Sequence, residues 1–113
     1  MELNNRSIKE LGLSSDKIHY IESILNTPIV KDNILTTTID AVTAERWYGN
    51  FYGLLNNELL ISPNALYIHL RINGFNNNVD FKATTDIKLL DPDAFDEIEE
   101  TYLRNEAYRK SLG

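Results

Sequence analysis

Two residue pairs constrain this chain more than anything else in it: Ser62-Pro63 and Asp91-Pro92. Proline has no backbone N–H to donate and its ring holds φ near the helical value, so it suits the first turn of a helix and breaks the interior. A serine or aspartate just before it supplies an oxygen for the free N–H groups of that turn. Each pair therefore predicts a helix start. Gly49 and Asn73-Gly74 predict stops, because helices commonly end on a left-handed residue. After Pro63, Leu66, Leu70 and either Tyr67 or Ile72 give a buried stripe. After Pro92 a helix runs to about residue 110. Its acids come early (Asp93, Asp96, Glu97, Glu99, Glu100) and its bases late (Arg104, Arg109, Lys110), the order that complements the helix dipole. Phe95, Ile98 and Tyr102 form an apolar stripe on it that something must cover.

The rest of the chain reads around these anchors. Residues 7–26 are helical in pattern: Ser7 with Glu10 fits a capping box, and Gly12 interrupts. Ser14 or Ser15 then caps a second helix carrying Ile18, Ile21, Ile24 and Leu25, which Asn26, Thr27 and Pro28 end. Residues 29–36 read as a short strand or extended entry. Thr37 or Thr38 is placed to cap a helix with Ile39, Val42, Arg46 and Trp47 at helical spacing. Residues 50–61 fit a helical turn, a hairpin around Asn56-Asn57, or both in succession. A polar loop, a turn through Lys82-Ala83-Thr84 and a strand Asp86–Leu90 precede the last helix.

At 113 residues the chain is most simply one domain with a modest core. A net charge of −6 argues against a nucleic-acid surface, which normally carries a basic stripe. Without cysteine, disulfides, thiolate metal sites and cysteine nucleophiles are excluded. No apolar run approaches the roughly 20 residues of a membrane span, and residues 1–25 carry no secretion-type apolar region. Folding in a cytoplasm is the expectation, which a virion protein shares.

The middle of the chain resembles a lysin-motif (LysM) domain, a βααβ unit. That family opens with a short strand and a "T-L-x-x-I-A" helix start, and its first helix finishes in Tyr-Gly. Thr38-Ile39-Asp40-Ala41-Val42 and Glu45-Arg46-Trp47-Tyr48-Gly49 match those parts. Its second helix ends in Asn-Gly, like Ile72-Asn73-Gly74, before a closing "G-T-x-L-x-I-P" strand, like Lys82-Ala83-Thr84-Thr85-Asp86-Ile87-Lys88-Leu89-Leu90. The likeness spans about residues 29–91, with three departures: an extra residue between Val42 and Tyr48, an insertion at about 50–61, and Ala83 where glycine is usual. The "RWYG" ending is similar to LysM-like proteins of phage tails, baseplate wedge proteins among them, where the module is a docking platform and flanking segments reach neighbours.

Chemistry-bearing motifs are sparse. There is no Gly-x-Ser-x-Gly elbow, phosphate loop or dinucleotide fingerprint. Glu45 and Glu58 are two carboxylates of the kind a glycosidase needs, as many pairs in an acidic chain are. The run "DPDAFDEIEE" is rich in carboxylates, yet Phe95 and Asp96 stand where a calcium loop needs an oxygen ligand and glycine. His19 and His69 each lack a metal-ligand partner at i+4, and the asparagine patches 56–57 and 76–78 suit turns. Catalytic, cofactor and metal residues are accordingly expected to be none.

The fold class expected is α+β: a LysM-like βααβ core at 29–91 with an insertion between its helices, a helical N-terminal extension at 1–28 and a C-terminal helix at 92–113. Trp47 and Tyr48 are expected to close the core. Ile18, Ile21, Leu25, Phe95, Ile98 and Tyr102 are the candidate interface. The function expected is a non-enzymatic assembly protein of a phage tail or baseplate, localised to the virion, whose partners are other virion proteins or a second copy, with no nucleic acid and no membrane. One rival is a LysM module for peptidoglycan or chitin-type glycans, with a groove between Asp32–Thr36 and Asn76–Thr84. The other is a small acidic regulator or inhibitor using its last helix against a basic partner.

Overall fold

The computed structural model describes residues 13–112. The capping box at Ser7 and Glu10 and the break at Gly12 lie outside them. The helices are α1 (Ser15–Ile24), α2 (Pro28–Lys31), α3 (Ala41–Arg46), α4 (Phe51–Gly53), α5 (Leu66–Ile72) and α6 (Pro92–Leu112), and the strands are β1 (Ile34–Thr38) and β2 (Asp86–Leu90). A π-helical turn, Leu54–Glu58, continues α4, and 3₁₀ turns at Pro63–Ala65 and Asn78–Asp80 precede α5 and β2. The result is a compact α+β domain with a two-stranded antiparallel sheet, Ile34 opposite Leu90 and Thr38 opposite Asp86.

Several local expectations change. Helix α1 stops at Ile24, ahead of Asn26, Thr27 and Pro28 as expected, and Pro28 then opens α2 from its first turn, as Pro63 and Pro92 open theirs, and buries Val30. That turn consumes residues expected to be strand, so β1 starts later and runs through Thr37 and Thr38. The cap of α3 passes to Asp40, whose side chain accepts from the Thr43 N–H. Starting there, α3 turns Ala44 and Trp47 inward and leaves Val42 71% exposed. Ser62 makes no side-chain cap bond. Asn56-Asn57 forms no hairpin: Leu59 N–H reaches Leu54 O at 3.2 Å, the wide π spacing, and Asn57 Nδ2 donates to Gly53 O at 3.0 Å.

A two-stranded ribbon is marginal by itself, and one edge of β2 faces away from β1. Helix α5 covers that edge with side chains one turn apart. His69 Nε2 accepts from Leu90 N–H at 3.2 Å. Asn73 accepts from Lys88 N–H at 2.8 Å and donates to Lys88 O at 2.9 Å. Residues i and i+4 on a helix share a face, and i and i+2 on a strand share an edge, so the two spacings meet. The pair stands in for a third strand.

The core lies beneath this clamp. Phe51 packs on Phe75 and Phe81 with ring centroids 5.0 and 5.3 Å apart, and Leu54, Leu55, Leu66, Ile68 and Leu70 fill around them. Trp47 is buried, its Nε1–H donating to Glu58 Oε1 at 3.0 Å. Tyr48 is a correction: it is 56% exposed, with the Lys82 ammonium 5.2 Å from its ring centroid. One residue after Trp47 at the end of a helix, its side chain points away from the face that Trp47 buries. The ring that completes the aromatic core is Phe81. Helices α1 and α6 belong to the same core, contributing Ile21, Ala94 and Ile98.

Trp47 is accommodated because residue 53 has no side chain: a Cβ on Gly53 would lie 2.5 Å from Trp47 Cζ3. Trp47→Ala is expected to cost about 3–5 kcal/mol, and Gly53→Ala about 1–3 kcal/mol by overpacking. Both should appear as lower urea midpoints with unchanged slope. A Gly53→Ala variant as stable as the parent would remove the indole from this position.

Candidate functional site

Helices α1 and α6 together build an aromatic groove at the surface. Ser14 caps α1 by accepting from Lys17 N–H, and Asp91 starts α6 by accepting from Asp93 N–H at 2.8 Å. Tyr20 meets Ile98 and Tyr102, while the earlier Asp16 meets the later Arg109 at 3.8 Å, so the helices run in opposite directions. Between them lies an open groove of about 530 Å³ lined by Asp16, His19, Tyr20, Tyr102, Tyr108 and Arg109 among others.

Beside the groove the two helices are tied together by charge. Lys17 Nζ lies 2.6 Å from Glu99 Oε2, both side chains less than a fifth exposed, and 4.8 Å from the Tyr102 ring centroid. Glu99 Oε1 is buried with no hydrogen-bond partner. Burial, and then the Glu99 charge, push the Tyr20 hydroxyl pKa up, so it stays protonated and donates to Ile98 O at 3.3 Å. His19 and Tyr108 stand exposed at the rim.

The expected docking stripe is only partly available. Ile21 and Ile98 are 1% and 2% exposed, a correction, because the stripes of α1 and α6 face the core. Ile18, Leu25 and Phe95 pack half-buried against it, and Tyr102 lies half-buried on Tyr20 with centroids 5.3 Å apart. The surface left over is the polar–aromatic groove beside them. Of the segments named for a glycan groove, Thr36 pairs with Lys88 inside the ribbon, and Ile39 N–H meets Thr85 O at the ribbon's far end.

Other candidates are engaged structurally. Glu58 accepts from Arg46 and Trp47, each at 3.0 Å. Among the described residues no group of three His, Cys, Asp or Glu side chains is arranged to hold a metal ion, and no helix is long and apolar enough to cross a membrane. Burial pushes the Tyr52 hydroxyl up to about 12, and burial together with its bond to Glu22 raises that of Tyr67. Glu22 also takes the Arg71 guanidinium at 2.9 Å, tying α1 to α5 beside a cleft of about 650 Å³ that includes Lys31 and Lys88. Asn78, read as a turn residue, is buried and accepts from Tyr52 N–H at 2.6 Å, holding the start of α4. Nothing local in the sequence separates it from Asn76 and Asn77. His69 and Asn73 stand at i, i+4 in the sequence, a legible sign of a shared polar face, although Arg71 between them is polar too.

No family model, curated protein or solved structure matches the chain.

His69 gives a direct test of the clamp. Its Nδ1–H donates to Ala65 O at 2.8 Å, so Nε2 is the bare nitrogen that receives Leu90 N–H. Burial lowers its pKa, only partly opposed by the Ala65 bond. A depressed pKa means the unfolded chain binds the proton more readily. The stabilisation is complete above about 6.5, the unperturbed imidazole value, and is lost as pH falls through the folded pKa. Urea midpoints should therefore drop between pH 7 and 5, and His69→Gln should flatten that slope. A His69 imidazole titrating at or above the unperturbed value by NMR would contradict the assignment.

Proposed function

We propose that this chain is a non-enzymatic assembly protein with a LysM-like centre, a structural component of a phage tail or baseplate that binds neighbouring virion subunits by surface complementarity. The observation that carries the reading is the α1–α6 groove. Two helices flanking the ribbon-and-helix centre pair with each other and present Tyr20, Tyr102, Tyr108, His19 and Arg109 together. Tyrosine and arginine are the residues that dominate protein interfaces, since each combines contact area with a polar end.

The LysM-like part of the reading draws support from element order. A strand, helices and an antiparallel partner strand follow one another from β1 to β2, with the π-helical segment falling in the insertion. Ala83, standing where the family has glycine, takes φ +64°, the left-handed conformation glycine favours. The glycan reading keeps one specific support: the exposed ring of Tyr48 beside Lys82 offers a stacking face.

Purified protein incubated with insoluble peptidoglycan and chitin separates the two. The assembly reading predicts no retention that soluble N-acetylglucosamine oligomers compete away. It also predicts that a photo-crosslinker at position 19 or 108 joins the protein to tail subunits in assembled particles. Competable retention abolished by Tyr48→Ala would transfer the function to glycan binding.

A further inference from the structure

Helix α6 carries two apolar features with no partner among the described residues, about 25 Å apart at the helical rise. At its start is a notch of about 200 Å³ walled by Leu60, Ile61, Ala65, Leu90, Pro92 and Phe95, with buried His69 also lining it. Leu60 on its rim is 82% exposed and held at φ +58°, a conformation unfavourable for leucine. Toward the far end, Tyr108 and Leu112, one turn apart on one side of the helix, are 64% and 70% exposed. An exposed leucine is ordinary; an apolar knob and an apolar notch on one molecule are a pair.

Charge completes the match. The turns that wall the notch carry Asp91, Asp93 and Asp96, while Arg104 and Lys110 flank the knob and make no ion pair among the described residues. We propose that the notch at the start of α6 receives the Tyr108–Leu112 knob of a second copy, giving head-to-tail self-association along the long axis. The surfaces in contact differ, so the interface is heterologous: each copy keeps a free knob and a free notch, and the contact propagates into a ring or a filament. Acid meets base in this arrangement, whereas tail-to-tail pairing would set base against base. A two-side-chain contact is weak singly and gains strength where a ring or a scaffold repeats it. Tyr108 also stands at the rim of the α1–α6 groove, so the knob and the groove share that one side chain, whereas Leu112 and the notch lie outside the groove.

The chain has no cysteine, so Ser111→Cys takes a single nitroxide label beside the knob. Spin-labelled protein without isotope is mixed with ¹⁵N-labelled parent, and intermolecular relaxation is read at each amide. The expected result is signal loss confined to residues around the notch, Leu60, Ile61, Leu90 and Phe95, weakening with added salt. It should disappear when the spin-labelled copy also carries Leu112→Ser, or when the ¹⁵N copy carries Leu60→Glu. Both substitutions lie at exposed positions, and unchanged amide spectra elsewhere show the variants folded. No intermolecular loss at concentrations suited to NMR overturns the proposal, as does loss centred on the last turns of α6. The first result leaves the groove reading standing; the second means a symmetric dimer.

Discussion

The clamp of His69 and Asn73 on the outer edge of β2 is the constraint from which the rest of the molecule follows. A two-stranded ribbon with an open edge has too few bonds and too little buried face to persist. Here one helix supplies a donor and acceptors at the spacing of a strand, bonding Leu90 through an imidazole and Lys88 through an amide. That sets α5 against β2. At the next residue after Leu90, Asp91 N–H donates to Asn33 O at 2.8 Å and Pro92 then opens α6, so the direction of the long helix is set where the ribbon ends. The α1–α6 groove and the apolar notch are both downstream of that junction.

A second arrangement fills the other side of the core. Trp47 fits because Gly53 leaves room for the indole, and Glu58, delivered by the π-helical turn, accepts its N–H. Asn50 and Asn78 bond to each other and to the amides that begin α4. The segment between α3 and α5 is therefore an integral wall of the core, with every residue from Phe51 to Leu55 buried.

Some of this was legible in the residues and some was not, for physical reasons. The Pro63 and Pro92 starts, the Gly49 and Gly74 stops and the strand Asp86–Leu90 stand as read, because each rests on a local backbone preference that tertiary packing does not contradict. Pro28 was ambiguous by the same logic: proline after a helix and proline opening the next look alike over three residues. Tyr48 and Val42 face outward because the helix is capped at Asp40, two residues beyond Thr38, with Ala44 and Trp47 on its inner face. The π-helical turn and the burial of Asn78 depend on contacts far away in sequence, and no pattern within the segment carries them. Among site residues, the stripes on α1 and α6 were read as apolar and are so, but Ile21 and Ile98 serve the core, leaving tyrosines, histidine and arginine at the surface.

The molecule thus places its polar bonds where the ribbon needs an edge and leaves an aromatic groove between α1 and α6. The most direct measurement of the clamp is residue-resolved amide hydrogen exchange along β2. In an antiparallel ladder alternate N–H groups face the partner strand, so Ile87 and Leu89 point at β1 while Lys88 and Leu90 point at α5. The clamp predicts that Lys88 and Leu90 exchange as slowly as Ile87 and Leu89. Rapid exchange at Lys88 and Leu90 with Ile87 and Leu89 protected would show an open edge and contradict it.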